Sequence, residues 1–461
     1  MRDGQRQSRC LRGFCLSVFS RRAVRPSSGP RLAAALPALW FAVWSLAVRG
    51  VERFPPPDFE SGYTLPTPFH PEARAEWFGI LDGAVLVLAL LIAGWLALRR
   101  RSRTGIAWLA VGGLLYFGFY RGGCVCPIGA VQNVALAFAD PGYALSGGIL
   151  LFFLLPLLMS LWMGRIFCSG VCPLGAIQDT VLIKPLRVPG WLAGTLGLVP
   201  WLYLGLAILY AVTDAGFVIC RFDPFVRVFR MSGAMGMLVF AGAALSLCAV
   251  VGRPYCRFFC PYGILLGIGA RVSRHRVSVT PDRCINCGLC RDACPFDAIR
   301  PPTQGRQKNR FSGRGIAGIG LVLVLAGVGV GWVAGPLLAR VHPRVALAAQ
   351  LRAEEAGAAE AVLETDTFRE EDGRASELYR EAAVRVRQYR LGGGLVGAGM
   401  GIVATLSLLP LLRPRKREEY EIDAAACVAC GRCFSYCPRD GACRFDGPDL
   451  LPDGQEDADG T

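Results

Sequence analysis

Cysteine is the residue best suited to chemistry in this chain, and eight of its nineteen cysteines stand in two copies of one spacing. The spacing is C-x-x-C-x-x-C-x-x-x-C-P, and it occurs at Cys284, Cys287, Cys290 and Cys294, and again at Cys427, Cys430, Cys433 and Cys437. Thiolates are soft ligands that suit iron–sulfur clusters, and bacterial ferredoxins use this run to bind [4Fe–4S] clusters. Zinc ribbons use two separate C-x-x-C pairs instead. The sequence therefore predicts two [4Fe–4S] clusters on these eight cysteines.

The fourth cysteine of each run is expected to serve the cluster of the other run, as it does in two-cluster ferredoxins. The predicted pairing is therefore crossed. One cluster is held by Cys284, Cys287, Cys290 and Cys437, and the other is held by Cys427, Cys430, Cys433 and Cys294. The two motifs would then form one split ferredoxin unit, although they lie far apart along the chain.

Four further cysteines lie in two similar CPxG motifs, which form a weak internal repeat. They run from Cys168 through Cys172 to Gly175, and from Cys256 through Cys260 to Gly263; a Gly-Arg pair precedes each motif. Together they supply four thiolates, the number that one [4Fe–4S] cluster takes. We expect them to share a third cluster at the cytoplasmic edge of the membrane. Two alternatives remain open: each pair contributes to a separate cluster, or the four are reactive thiols.

A third CPxG motif departs from this repeat because only one residue separates its cysteines, Cys124 and Cys126. Both are expected at the outer surface, where the next outer loop carries Cys220. These three cysteines either hold a further cluster with a non-cysteine fourth ligand or include a disulfide, because the outside is oxidising. Cys248 is expected in the core, and three other cysteines match no motif: Cys10, Cys15 and Cys443.

The elements that position these motifs are apolar. Hydrophobic residues make up 53% of the 461 residues and charged residues only 18%, against about 25% in soluble domains, so the composition indicates a membrane protein. The net charge of +15 does not indicate nucleic-acid binding, because many of the arginines flank apolar runs. Three scattered histidines are too few for a multi-haem protein.

Eight apolar runs are long enough to be considered as membrane helices, which need roughly 17–25 residues. They are Arg31–Val48, Trp77–Leu98, Gly105–Tyr120, Leu145–Met163, Gly190–Val212, Ala234–Val251, Gly313–Ala339 and Leu391–Leu412. Arginine-rich segments follow the second, sixth and eighth runs. By the positive-inside rule both termini and the ferredoxin unit are expected in the cytoplasm, with the chain in a bacterial-type inner membrane.

The predicted fold is an all-α polytopic membrane bundle of about eight transmembrane helices with a split α+β two-cluster ferredoxin unit. The predicted segments are a basic cytoplasmic tail (1–30), a six-helix membrane domain with the CPxG motifs (31–270), the first ferredoxin motif (271–312), a transmembrane hairpin (313–412) with an outer helical segment (341–390), and the second ferredoxin motif with an acidic tail (413–461).

With these motifs the sequence resembles the NosR/NapH-type membrane polyferredoxins, from about Gly122 to Gly263 and then through both ferredoxin motifs. The resemblance implies electron transfer between a quinone-pool or cytoplasmic donor and an outer-side acceptor. We find no FMN site of the NosR kind, since Asp82-Gly83-Ala84-Val85 lacks the terminal Thr or Ser. Any flavin is therefore expected on a partner protein.

The functional hypothesis is a membrane-bound electron carrier without a catalytic residue, whose partners are membrane lipid and a redox protein, either a flavoprotein or an outer-side reductase. Nucleic acid is not expected as a partner. One alternative is a quinol dehydrogenase, for which Gln178 and Asp179 are candidate polar residues near a cluster. Another alternative is a redox-sensing or maturation protein. The sequence does not distinguish an electron-transfer protein from a subunit of an oxidoreductase.

Overall fold

The computed structural model describes residues 76–123, 127–183, 185–231, 235–279, 284–303, 312–370, 373–413, 416–438 and 443–446. Helices dominate. The first thirteen, which carry the CPxG motifs, are α1 Glu76–Trp95, α2 Arg103–Gly113, α3 Pro127–Ala139, α4 Gly147–Met163, α5 Ile166–Gly170, α6 Pro173–Val181, α7 Gly190–Leu196, α8 Val199–Val212, α9 Val218–Phe222, α10 Pro224–Arg230, α11 Met235–Cys248, α12 Pro254–Phe258 and α13 Pro261–Val272. The helices α1 and α2 continue as π-helical segments, Leu96–Arg100 and Leu114–Tyr120.

The rest of the chain alternates ferredoxin strands with two long helices. Its elements are β1 Arg276–Val279, α14 Leu289–Ala293, β2 Ile299–Arg300, α15 Gly313–Ala339, α16 Pro343–Glu355, α17 Leu363–Glu370, α18 Ala375–Leu412, β3 Glu421–Ile422, α19 Arg432–Tyr436 and β4 Cys443–Asp446. Local side-chain caps define several helix starts. Ser312, for example, accepts a hydrogen bond from the Gly315 amide at the start of α15.

Four described helices are long and apolar enough to cross a membrane: Trp77–Arg100, Gly190–Val212, α15 and α18. They correspond to four of the eight predicted spans. The bent pair of α10 and α11 would make a fifth, while α4 is apolar but shorter. The run Arg31–Val48 lies outside the described residues. The number of eight spans therefore stays a prediction.

The last predicted span is part of a longer helix. The apolar run Leu391–Leu412 continues without a break from α18 residues in the outer segment, which begin at Ala375. This extension packs on α16, with Leu351, Leu378 and Tyr389 in one buried cluster. A hydropathy window could not show the extension because its surface residues are polar.

The ferredoxin strands pair only across the two motifs. Strand β1, which precedes the first motif, is antiparallel to β4, which follows the second, with Val277 opposite Phe445. Strand β2 is antiparallel to β3, with Ile299 opposite Ile422. The short helices α14 and α19, one from each motif, also contact each other. Residues that are distant in sequence therefore form one small α+β unit.

Candidate iron–sulfur centre

In the two CPxG motifs of the repeat, the second cysteine stands at a helix start. Cys172 precedes α6 and Cys260 precedes α13, and a proline follows each of them at the first helical position. Proline suits this position because its fixed φ is helical and its missing N–H would have no partner there. The Cys260 sulfur accepts a hydrogen bond from the Gly263 amide at 3.2 Å. The helix start therefore directs backbone donors and positive dipole at the sulfur.

The structure brings the four CPxG cysteines together. Cys260 interacts electrostatically with Cys256, Cys168 and Cys172. Cys168, Cys172 and Cys260 are buried and Cys256 is half-buried. Four thiols that converge from two loops, three of them buried, match the number of donors that one [4Fe–4S] cluster takes.

The second CPxG loop is held against α4 by the residues that follow its thiols. The Tyr262 hydroxyl, two residues after Cys260, donates to the Phe153 carbonyl of α4 at 2.7 Å. At 1.5 Å per residue, Phe153 is roughly 15 Å from the end of α4 at Met163. The helix α13, which begins just after Cys260, packs along α4 towards its end.

The arginine of each Gly-Arg pair reaches across to the other repeat. The guanidinium of Arg165, in the first repeat, would lie 3.2 Å from a Cβ on Gly263 of the second. Arg253, in the second repeat, would lie 2.9 Å from a Cβ on Gly175 of the first, and the Cys168 carbonyl would lie 2.6 Å from it. The CPxG glycines therefore leave room for the arginines and the backbone to approach each other.

Both arginines are buried and act at the thiols. Arg165 is 9% exposed, and one of its nitrogens lies 3.8 Å from the Cys168 sulfur. Arg253 is fully buried and donates to the Cys168 carbonyl at 2.5 Å. Positive charge beside thiols favours the thiolate form that binds iron. The Nε of Arg165 is a buried donor without a hydrogen-bond partner in the described structure.

Gln178 and Asp179 support this centre. Gln178 is fully buried, donates to the Cys256 sulfur at 3.2 Å and accepts from the Tyr255 amide. Burial opposes the ionisation of Asp179, but Arg253 overcomes this effect and holds the pKa of the carboxyl at about 2. Arg103 lies 3.5 Å from the same carboxylate. These protein partners occupy the polar atoms of both residues that the sequence offers for a quinone site.

In the ferredoxin unit, Cys294 of the first motif lines the same small cavity as three cysteines of the second: Cys427, Cys430 and Cys433. Cys427 interacts electrostatically with both Cys430 and Cys294, and burial raises its pKa to about 12. This grouping is the one that the crossed pairing predicts. For the other set, Cys290 lies on α14, which contacts α19, and Cys437 follows α19 directly. Cys284 and Cys287 precede α14.

Three arginines join the two centres. Arg165 donates to the Ala425 carbonyl at 2.7 Å, just before the second ferredoxin motif. Arg103 donates to the Cys430 carbonyl at 3.1 Å. The Arg253 guanidinium lies 5.7 Å from the ring centroid of Phe296, which follows the first motif. The CPxG loops and the ferredoxin unit are therefore in direct contact.

Of the outer cysteines, Cys124 and Cys126 lie outside the described residues. Cys220 is on α9, and its sulfur lies 3.2 Å from the position of a Cβ on Gly129, in the first turns of α3. Since α3 begins directly after Cys126, the structure places Cys220 near the third CPxG motif. Both a further cluster and a disulfide remain open there.

Within the described residues, no three His, Cys, Asp or Glu side chains are close enough to hold a single metal ion. A [4Fe–4S] cluster takes one thiolate on each iron, so its cysteines surround a space and do not meet at one point. The cavity lined by Cys294, Cys427, Cys430 and Cys433 has this character. The residues therefore fit the cluster better than a single ion.

Sequence reasoning singled out the cysteines but not the function of Arg165, Arg253 and Asp179. The repeated Gly-Arg pair was the available signal. Two cationic side chains at equivalent positions beside thiols, in an otherwise apolar domain, are expensive to bury without a partner.

Comparison with known proteins identifies two regions. Residues 277–300 match a 4Fe-4S binding domain, and residues 145–198 and 234–280 match a second family that is also described as a 4Fe-4S binding domain. The matches cover the first ferredoxin motif and both complete CPxG motifs. No solved structure matches the chain.

Several curated proteins are similar to the chain. The regulatory protein NosR of Pseudomonas aeruginosa is 28% identical over 57% of this chain and 40% of its own length. The methylamine utilization ferredoxin-type protein MauN of Paracoccus denitrificans is 30% identical over 30% of this chain and 51% of its own. YccM of Escherichia coli, whose name describes electron transport, is 26% identical over 30% of this chain and 43% of its own. The chain thus spans about half the length of these relatives or less.

Proposed function

We propose that this chain, a NosR/NapH-type membrane polyferredoxin by its motifs and relatives, carries electrons from the ferredoxin unit into the membrane domain through three cysteine-bound [4Fe–4S] clusters. The observation that carries the proposal is the contact between the two centres. Arg165, whose guanidinium lies 3.8 Å from the Cys168 sulfur of the CPxG loops, donates at 2.7 Å to the Ala425 carbonyl just before the second ferredoxin motif.

A bound [4Fe–4S] cluster exchanges single electrons at a potential set by hydrogen bonds, charge and solvent exposure. The residues of this chain would set those conditions. Arg165 and Arg253 place positive charge at the CPxG thiols, and Gln178 donates to the Cys256 sulfur. Cys168, Cys172 and Cys260 are shielded from water.

The route would begin at the ferredoxin unit, which is expected to face the cytoplasm and a soluble or quinone-pool donor. It would continue through the CPxG thiols towards an outer-side acceptor or a flavoprotein partner. Cys220, with Cys124 and Cys126, would complete the crossing if these residues hold a cofactor.

Electron transfer across liposomes tests the proposal. The full chain would be reconstituted with cytochrome c trapped inside, dithionite added outside, and cytochrome reduction recorded. We expect reduction with wild type and with Cys248→Ala, which removes a buried cysteine on α11 outside all motifs. The Cys168→Ala/Cys260→Ala variant should fall to the rate of protein-free liposomes. Equal rates in all three proteins would contradict the proposal.

A quinol dehydrogenase is the second candidate function, and it differs from the first in that a membrane quinol donates the electrons. It predicts that a menaquinol analogue reduces the wild-type protein in the same liposomes without dithionite. A redox-sensing or maturation protein would show neither quinol-driven nor dithionite-driven transfer to the trapped cytochrome.

A further inference from the structure

A wide groove lies where the last long helix ends beside the ferredoxin unit. Its volume is about 660 Å³, and it is lined by the end of α18 and by residues of β1 and β3. Five arginines share this lining: Arg271, Arg276, Arg300, Arg413 and Arg417. We call it the arginine groove.

The arginine groove carries excess positive charge. Among the described residues that line it, only Glu421 and Asp423 are acidic. Asp423 is already paired with Arg300 at 2.7 Å, and Arg300 is the only one of the five arginines with a carboxylate partner in the described part of the chain. The Nε of Arg417 is buried without a hydrogen-bond partner there. The groove therefore offers several guanidinium donors to an anion.

The lining is also apolar on the side of the membrane helix. Leu409 and Pro410 belong to the last turn of α18, whose apolar stretch ends at Leu412, and Arg413 follows at once. Val277 and Ile422 add apolar surface from the ferredoxin strands. A ligand that suits this groove has a negatively charged head and an apolar tail, and this combination distinguishes a lipid from an acidic protein or a free anion.

We propose that the arginine groove binds the phosphate headgroup of an anionic phospholipid. Basic pockets at the ends of membrane helices favour such headgroups, and each arginine near the surface adds to the affinity. Arg413 follows a membrane helix, while Arg276 and Arg300 belong to ferredoxin strands. One headgroup would therefore contact both parts and hold the ferredoxin unit against the membrane surface.

The test uses the full chain in a neutral detergent. Its thermal midpoint would be followed with added phosphatidylglycerol, phosphatidylcholine or inorganic phosphate. We expect a saturable rise with phosphatidylglycerol, little change with phosphatidylcholine, and an effect of inorganic phosphate only at far higher concentration. In Arg413→Gln/Arg417→Gln, the phosphatidylglycerol concentration that gives half of this rise should increase about thirtyfold.

The matched control is Arg99→Gln/Arg100→Gln, which removes two arginines at the end of Trp77–Arg100, outside the groove. This control should bind phosphatidylglycerol as wild type does. Unchanged iron content in the variants shows that they are folded. If the groove double variant loses iron, the single variant Arg276→Gln on β1 replaces it, with an expected loss of about fivefold.

Three outcomes overturn the proposal. Unchanged phosphatidylglycerol binding in the groove variants places the lipid elsewhere. Inorganic phosphate that binds as tightly as the lipid makes the groove a free-anion site. A poly-glutamate peptide that binds more tightly than phosphatidylglycerol, and that is lost in Arg413→Gln/Arg417→Gln, makes it a docking site for an acidic protein.

Discussion

The guanidinium of Arg253 donates to both carboxylate oxygens of Asp179, at 2.9 and 2.7 Å, in the interior of the protein. The same guanidinium donates to the carbonyl of Cys168. A fork of this kind fixes the arginine in one orientation. It thereby joins a carboxylate at the end of α6 to the loop that carries the CPxG thiols.

Removing Arg253 should destabilise the protein strongly, because Asp179 would remain as a buried charge without its main partner. For Arg253→Met we expect a loss of about 3–5 kcal/mol of unfolding free energy. The measurement is chemical unfolding in detergent, together with iron retention after gel filtration.

Arg187→Gln is the control for this variant. It breaks the ion pair of Arg187 with Asp292, whose side chains are 50% and 70% exposed. Exposed pairs contribute about 0–1 kcal/mol, so this variant should unfold like wild type. If both variants lost a similar unfolding free energy, the burial of the Arg253–Asp179 pair would not be the cause of the loss in Arg253→Met.

A methyl group on Gly252 should separate the CPxG loops from the ferredoxin unit. A Cβ there would lie 2.6 Å from the Pro295 Cβ and 2.7 Å from its carbonyl oxygen, so Pro295 must move. We expect Gly252→Ala to expose the ferredoxin unit to limited proteolysis and to lower iron retention. Gly242→Ala, where a Cβ meets nothing within 4 Å, should behave like wild type. Identical proteolysis of the two variants would contradict the contact.

The crossed pairing makes a spectroscopic prediction. Cys294→Ser should perturb the same cluster as Cys427→Ser, since Cys294 shares a cavity with the second-motif cysteines. Cys284→Ser should perturb the other cluster. The measurement is EPR of the reduced variants, in which the first two should lose the same signal. If Cys294→Ser and Cys284→Ser remove the same signal instead, each motif holds its own cluster.

The helices between the last two predicted spans should loosen in mild acid because of His342. Its Nδ1 accepts from the Arg344 amide and its Nε2 lies 3.2 Å from the Thr213 carbonyl, an arrangement that needs a neutral ring with the proton on Nε2. Burial and then the nearby Arg385 lower its pKa, and these effects, with Arg344, outweigh Thr213 and Asp214, which raise it.

With a folded pKa below the unfolded one, protonation favours the unfolded segment. The contribution of His342 to stability is complete above about pH 6.5 and is lost as the pH falls through this value, by no more than about 1.4 kcal/mol per pH unit. Hydrogen exchange across 343–389 should therefore accelerate between pH 7.5 and 5.5. His342→Asn, which can still cap α16, should remove this acceleration. An unchanged pH dependence in that variant would assign the effect to another group.

Local spacing carried most of what the sequence could predict. The cluster-binding cysteines could be predicted because ligands on one tight loop must follow a fixed order. The helices α15 and α18 could be predicted because their apolar stretches are long. The packing of the second CPxG loop against α4 was not readable. It depends on α13, a helix of 12 residues that hydropathy treats as the border of a span.

The contacts of Arg165 and Arg253 could not be predicted from the sequence either, because they join residues far apart in the chain. Arg165 meets the carbonyl of Ala425, and Arg253 meets the loop of Cys168. Sequence periodicity describes neighbours on one element and gives no information about such contacts. The repeated Gly-Arg pair marked the positions, but only the fold shows that each arginine also reaches the opposite repeat.

The central claim is that the CPxG cysteines hold a cluster of their own, and iron counting tests it most directly. The measurement is anaerobic iron and sulfide content with EPR on the detergent-purified full chain and on Cys168→Ala/Cys260→Ala. With the two ferredoxin clusters and the shared one, we expect about twelve irons in wild type and about eight in the variant. About eight irons in both proteins would contradict the shared cluster and leave a membrane-anchored two-cluster ferredoxin.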